Sequence, residues 1–169
     1  MSKVAVVYWS GTGNTEAMAM TVAEGAKGKG AEVSVIPAAE FTEEQIGNYG
    51  AIAFGCPSMG AEQLEESEFE PMFAACEGRL SGKNIALFGS YGWGDGEWMR
   101  SWESRCDDAG ANMVCDSVIC NETPTTRLSR PAANWERRWP DEHTPQKAGD
   151  KPLVSRLLSV PRTAQAKPV

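Results

Sequence analysis

The sequence predicts an α/β protein whose core is a doubly wound, five-stranded parallel sheet. Two observations lead to this fold class. Short apolar runs rich in β-branched residues alternate with longer segments of helical spacing along residues 4–119. Several of these runs are apolar at every position, as strands must be when helices cover both faces of their sheet. The chain of 169 residues has the length of one ordinary domain with a substantial core.

Five segments are predicted to be strands and three to be helices. The strands are expected over residues 4–7, 32–36, 51–54, 84–88 and 113–119, and the helices over residues 15–29, 64–76 and 96–109. In each helix two large apolar residues lie four positions apart, as one buried face requires: Met18 with Val22, Phe69 with Phe73, and Trp98 with Trp102. The segment of residues 41–48 is short and shows no distinct helical pattern. Such alternation is typical of parallel strands joined by helical crossovers.

Charge and composition change abruptly at about residue 123. Residues 1–123 carry nineteen acidic and seven basic side chains, whereas residues 124–169 carry four acidic and nine basic ones. Sixteen of the seventeen glycines precede residue 124, and seven of the ten prolines follow residue 123. The chain is therefore predicted to consist of a folded domain over residues 1–123 and a basic tail, rich in Pro and Arg, over residues 124–169.

Composition also excludes several classes of function. The acidic domain would repel the phosphates of nucleic acid. The five cysteines form no CxxC pair and no zinc pattern, which predicts buried free thiols and no metal site. The single histidine, His143, lies in the tail, so no histidine catalysis is expected. No segment approaches membrane-spanning length or has the pattern of a signal peptide, and a cytoplasmic protein is predicted.

Three loops rich in glycine and hydroxyl residues follow the first, third and fourth predicted strands, over residues 10–15, 56–62 and 89–96. Loops at the carboxyl ends of parallel strands meet in one crevice. The first loop has the composition of a phosphate site, because its glycines let backbone N–H groups approach an anion and a helix N-terminus follows. It is neither a Walker loop nor a dinucleotide fingerprint, since Glu16 stands where the third glycine belongs. As a bare pattern, it could also be a plain strand-to-helix turn.

These loops resemble those of the flavodoxins, most closely the short-chain clostridial type. The resemblance rests on SGTGNT at residues 10–15, Met-Gly at 59–60, LEESEFEP at 64–71 and SYGWGDG at 90–96, and it extends over residues 4 to about 122. It implies the strand order 2-1-3-4-5, of which flavodoxin is the type example, with FMN bound at the switch point.

The resemblance also implies which residues bind FMN. The phosphate would be bound by Ser10, Gly11, Thr12, Gly13, Asn14 and Thr15. The isoalloxazine and ribityl groups would be contacted by Ser58, Met59, Gly60, Ala61, Glu62, Ser90, Tyr91, Gly92, Trp93, Gly94, Asp95, Gly96 and Asn121. Trp93 would stack on the outer face of the ring and Met59 would cover the inner face. Gly60 would present its carbonyl to N5, and Glu62 would accept from the N3–H group.

The implied function is that of a low-potential electron carrier, without catalytic residues, that cycles between semiquinone and hydroquinone. Its partners would be transient redox proteins, both oxidoreductases and ferredoxin-type proteins, and it would be a monomer. Two other functions stay open. A flavin-dependent reductase of a small molecule or NAD(P)H would need room above the ring, which a stacked Trp93 would fill. A partner-binding module would act through the basic tail.

The tail departs from the family pattern. Its seven prolines leave no room for a terminal helix of the usual length, and the best candidate for a short one is the apolar stripe within residues 153–160. Composition predicts mostly disorder. Two origins are open, a genuine appended interaction segment and a change of reading frame near codon 124. The abrupt change in charge, glycine and proline favours the frame change.

Overall fold

The computed structural model describes residues 2–122. The predictions for the tail, namely the disorder, the apolar stripe, the missing terminal helix and the frame change, lie outside the described residues. The strands are β1 (Lys3–Tyr8), β2 (Glu32–Pro37), β3 (Ala51–Gly55), β4 (Asn84–Tyr91), β5 (Asn112–Met113) and β6 (Val118–Asn121). The helices are α1 (Asn14–Gly28), α2 (Phe69–Glu77) and α3 (Glu97–Asp108), with 3-10 turns at Ala38–Glu40 and Glu43–Asn48.

All the strand pairs of the sheet are parallel, and the order is β2-β1-β3-β4-β5, with β6 also paired to β4. This confirms the predicted order 2-1-3-4-5. Because β1 is central, its residues pair on both sides, Val4 with Val33 of β2 and with Ala51 of β3. The strand order reverses between β1 and β3, and the ends of these strands are where a doubly wound sheet binds its ligands.

The fifth predicted strand is divided in two, so the expectation of one continuous strand over residues 113–119 was wrong. Met113 pairs with Ile85 and Val118 pairs with Phe88, so four residues of the edge strand lie opposite two residues of β4. Asp116 and Ser117 fall within this interruption, and Asp is depleted in strands. After the interruption, β6 pairs with the last residues of β4 and so reaches the carboxyl end of that strand.

The start of α2 also differs from its prediction. Helical spacing predicts a helix from residue 64, but α2 begins at Phe69. The carboxylate of the buried Glu65 accepts the N–H groups of Ser67, Glu68 and Phe69 at 2.8, 2.8 and 2.9 Å. Residues 65–68 therefore form a turn that leads into the helix.

Helices cover both faces of the sheet, as the apolar strands require. α1 packs on one face, where Met18, Ala19 and Val22 contact strand residues such as Val6 and Phe88. α2 and α3 pack on the other face, where their aromatic side chains form edge-to-face contacts with ring centroids 5.3 to 5.5 Å apart: Phe54 with Phe73, and Trp102 with both Phe69 and Phe73. This rigid double layer fixes the strand ends that bear the site loops.

Candidate functional site

A cavity of about 450 Å³ opens at the carboxyl ends of β1, β3 and β4. All three of the predicted loops contribute to it. Its walls are formed by Trp9, Ser10, Gly11, Thr12, Asn14, Thr15, Pro57, Ser58, Met59, Ser90, Tyr91, Gly92 and Glu122. The volume lies within the range of small-molecule and cofactor sites.

One end of the cavity has the properties of an anion site. α1 begins after Gly13, whose φ of 91° is the left-handed conformation that glycine adopts without strain, and no side chain caps the helix. The first N–H groups of a helix have no intrahelical acceptors, and the helix dipole makes this end positive. The Ser10 hydroxyl accepts from the Gly13 N–H at 3.1 Å and keeps its own hydrogen to donate. A phosphate monoester would find donors here without a basic side chain.

Thr15 and Ser90 join this end of the cavity to the sheet. Their hydroxyl oxygens lie 2.9 Å apart in a hydrogen bond that is buried, since the two residues are only 1% and 6% exposed. The bond connects the first turn of α1 to the end of β4. It therefore fixes the helix N-terminus relative to the neighbouring wall of the cavity.

Two large apolar side chains face solvent on the site loops, Met59 in the cavity wall and Trp93 on the neighbouring loop. Met59 is 38% exposed and Trp93 is 61% exposed, although residues of this size and polarity are ordinarily buried. Met59 is held by two backbone hydrogen bonds with Gln63, so the loop that bears it closes on itself. Exposed apolar surface on two neighbouring loops is what a planar aromatic ligand would cover.

Glu62 connects these two loops. Three successive N–H groups, those of residues 95–97, donate to its Oε1 at distances of 3.2 to 3.3 Å. The carboxylate thus occupies the N-terminus of α3, where the helix dipole stabilises a negative charge. The contact between Glu62 and the ring N3–H group that the resemblance implies stays a prediction.

Nearby, the Asp95 carboxylate pairs with Arg100 at 2.8 Å, and this hydrogen bond lowers the pKa of Asp95. The pair lies within the loop that leads into α3. It attaches the outer part of that loop to the helix.

Ten of the predicted site residues line the cavity together: Ser10, Gly11, Thr12, Asn14, Thr15, Ser58, Met59, Ser90, Tyr91 and Gly92. The other nine belong to the same loops or to the end of β6 but do not form its walls: Gly13, Gly60, Ala61, Glu62, Trp93, Gly94, Asp95, Gly96 and Asn121. Their part in binding stays a prediction.

Sequence reasoning missed three wall residues, Trp9, Pro57 and Glu122. The first two directly precede or lie within predicted loops, so their position was a usable signal. Glu122 carried no such signal, because it reaches the cavity through a hydrogen bond from its N–H to the Tyr91 carbonyl at 2.7 Å.

A carboxylate next to the cavity loops stays ionised to low pH. Burial alone would raise the pKa of Glu65, but hydrogen bonds from Ser67, Phe69 and Glu68 outweigh burial and lower this pKa to about 2. Glu65 is only 5% exposed, so these hydrogen bonds, rather than water, stabilise its negative charge.

Residues 2–122 show no features of a metal site, a cysteine nucleophile or a membrane-spanning helix. No group of three His, Cys, Asp or Glu side chains there could hold a metal ion. The five cysteines are not joined in disulfides, and burial raises the pKa of Cys56 to about 12, so this thiol is not a nucleophile. None of the described helices combines the length and the apolar character needed to span a bilayer.

The residues present fit FMN. The cavity offers backbone and hydroxyl donors at the end where a phosphate would bind, and Ser58 and Ser90 line it towards the exposed Met59. Along the described chain, no Lys or Arg contributes to its walls, which suits one phosphate neutralised by dipoles.

Comparison with known proteins agrees with this fit. A family model described as flavodoxin matches residues 6–135, which extends past the predicted domain boundary at residue 123. The flavodoxin of Megasphaera elsdenii is 45% identical over 121 residues, a match that covers 72% of the chain and 88% of the relative. The flavodoxin of Clostridium beijerinckii is 45% identical over 119 residues, which covers 70% of the chain and 86% of the relative. The solution structure of two-electron reduced Megasphaera elsdenii flavodoxin superposes with a TM-score of 0.72 at 40% identity, covering 79% of the chain and 98% of that protein.

Proposed function

The chain belongs to the flavodoxin family and is an FMN-binding electron carrier rather than an enzyme, and from this premise we propose how its own residues perform the function. When bound, FMN supplies the redox chemistry by accepting and releasing electrons. The observation that carries the proposal is the cavity in which the uncapped N-terminus of α1 and the hydroxyls of three loops converge.

Residues 10–15 bind the phosphate. The N–H groups at the start of α1 and the hydroxyls of Ser10, Thr12 and Thr15 donate to it, while the helix dipole offsets part of its charge. The hydrogen bond between Thr15 and Ser90 keeps these donors in place before the ligand arrives. A preorganised site of this kind loses little ordering entropy on binding.

Met59 and Trp93 cover the two faces of the flavin ring and exclude water from it. An offset aromatic stack by Trp93 contributes about 0.5–1.5 kcal/mol beyond its area burial. Gly60 would present its carbonyl to the ring edge, and Glu62 would accept from the ring N–H group.

Negative charge near the ring keeps the reduction potential low, because added electrons meet a negative field. Glu65 contributes to this field at any physiological pH, since its pKa is about 2. The domain as a whole has nineteen acidic and seven basic side chains over residues 1–123. We propose that the same charge steers basic redox partners, oxidoreductases and ferredoxin-type proteins, to brief contacts with a monomeric, cytoplasmic carrier.

Residues 1–123 form the FMN-binding unit in this proposal, and residues 124–169 are a separate basic tail, whether native or frame-altered. The acidic domain has no role in binding nucleic acid or membranes.

Electron delivery tests the proposal. The FMN-loaded full-length protein is reduced photochemically and mixed with the basic acceptor cytochrome c at increasing ionic strength. We expect rapid reduction of the cytochrome that slows as salt screens the attraction. NAD(P)H should not be oxidised unless a partner reductase is added. Direct oxidation of NAD(P)H by the protein alone would instead support the reductase function.

A further inference from the structure

We propose that a hydrogen bond between Trp9 and Glu68 positions the phosphate end of the cavity and thereby raises selectivity for FMN over riboflavin. The inference rests on the proposed function. Both act as positioning residues, because Trp9 lies against the phosphate loop at Gly11 and Glu68 acts on that loop only through its hydrogen bond with Trp9.

Trp9 connects the cavity wall to the core. Its backbone N–H donates to the Gly55 carbonyl at 3.0 Å, directly after the end of β1. Its indole forms part of the cavity wall and packs against the buried cluster beneath α2 and α3. Its Nε1–H donates to Oε2 of Glu68 at 2.9 Å, across 59 residues of sequence. The ring orientation is therefore set by a contact outside its own loop.

The indole lies directly against the phosphate loop at Gly11. A Cβ atom at residue 11 would lie 3.1 Å from Cη2 and 3.3 Å from Cζ3 of Trp9. Glycine is what allows this close approach. Any rotation of the indole therefore either pushes on the loop or leaves space behind it, so the position of Trp9 determines where the phosphate donors lie.

Glu68 is itself held in place. Its backbone N–H donates to Oε2 of Glu65 at 2.8 Å, and Glu65 also accepts from Ser67 and Phe69. This turn at the start of α2 directs the Glu68 carboxylate towards Trp9. A chain of contacts thus runs from the buried Glu65 through Glu68 and Trp9 to Gly11.

The charge of Glu68 acts in the opposite direction to the hydrogen bond. A carboxylate near a phosphate site repels the phosphate, so removal of charge alone should strengthen FMN binding. Loss of the hydrogen bond should weaken it. E68Q removes the charge and keeps an acceptor oxygen, E68A removes both, and W9F removes the N–H donor but keeps an aromatic ring.

The experiment titrates flavin-free, full-length protein with FMN and, separately, with riboflavin. For W9F we expect FMN affinity to fall about three- to tenfold, the usual range for one hydrogen bond, with riboflavin affinity within about twofold of wild type. E68A should show a smaller fall in FMN affinity than W9F, because loss of the negative charge offsets part of the lost hydrogen bond. E68Q should keep at least the wild-type FMN affinity. The double variant W9F/E68A should bind no more weakly than the weaker single variant, since both remove the same bond. E66A is the matched control, because it removes an exposed glutamate from the same turn.

Unfolding by urea is measured on each variant, so that a loss of fold is separated from a loss of selectivity. An unchanged FMN affinity in E68A and W9F, or an equal fall for FMN and riboflavin, would overturn the inference. A fall in E68Q as large as in E68A would also overturn it. Failure of the wild-type protein to bind FMN would overturn the proposed function together with the inference.

Discussion

The hydroxyl groups of Thr15 and Ser90, 75 residues apart in sequence, form a buried hydrogen bond 2.9 Å long between the first turn of α1 and the end of β4. Both residues also line the cavity. The helix N-terminus cannot move away from the sheet without leaving two buried hydroxyls unpaired, and each unpaired group would cost about 1–3 kcal/mol.

Replacement of Thr15 by valine should weaken both the fold and the site. T15V keeps the shape but leaves the Ser90 hydroxyl without its partner, so we expect the free energy of unfolding to fall by about 1–2 kcal/mol. FMN affinity should fall as well, because one phosphate donor is lost. Urea unfolding and FMN titration measure the two effects. T15S keeps the hydroxyl and should stay close to wild type; equal losses in T15S and T15V would contradict the role of the bond.

Gly13 and Gly28 provide a matched pair for backbone strain. A Cβ atom at either position would meet no other atom within 4 Å, but only Gly13 has a left-handed φ, of 91°. G13A should therefore lower the free energy of unfolding by about 1–2 kcal/mol and weaken FMN binding. G28A should be neutral or should stabilise α1 by up to about 1 kcal/mol. Thermal and urea unfolding compare them, and a G13A variant as stable as G28A would show that the left-handed turn is not required.

The strands and the three loops could be predicted from sequence because their signals are local, whereas the strand order was implied by the resemblance to flavodoxins. Apolar runs such as residues 4–7 and 51–54 mark strands on their own, and glycine with hydroxyl residues marks the loops. The start of α2 could not be predicted from helical spacing, because hydrogen bonds to the Glu65 carboxylate hold residues 65–68 in a turn before the helix. Glu122 was missed for a similar reason, since a cavity wall depends on which distant elements meet, whereas Trp9 directly precedes a predicted loop and its position was a usable signal.

Trp93 and Trp98 should respond differently to substitution although they lie five residues apart. Trp93 is 61% exposed, whereas Trp98 is buried and donates its indole N–H to the Cys56 carbonyl at 3.2 Å. W93A should leave the free energy of unfolding of the flavin-free protein within about 0.5 kcal/mol of wild type and lower FMN affinity about tenfold through the lost stack.

W98F serves as the comparison. It leaves the Cys56 carbonyl unpaired and removes buried volume, so it should lower the free energy of unfolding by about 1–3 kcal/mol. Urea unfolding and FMN titration separate the two variants. Normal FMN affinity in W93A would contradict the proposed stacking role.

Glu65 should make the fold sensitive to acid. Its pKa is about 2 in the folded protein, below the ordinary value of 4.5, so its stabilising effect is complete above pH 4.5 and is lost as pH falls towards 2. We expect the free energy of unfolding to fall over this window by an amount on the order of 2–3 kcal/mol from this group. In E65Q that part of the acid dependence should be absent. Urea unfolding at a series of pH values measures this dependence. If the free energy of unfolding fell equally with pH in wild type and E65Q, Glu65 would not be the group responsible.

Titration of the flavin-free, full-length protein with FMN tests the central claim most directly. Flavin fluorescence is followed as FMN is added. If the three loops form one cofactor site, fluorescence should be quenched until one equivalent has been added and should then rise linearly. Fluorescence that rises from the first addition, with no quenched phase, would contradict the account.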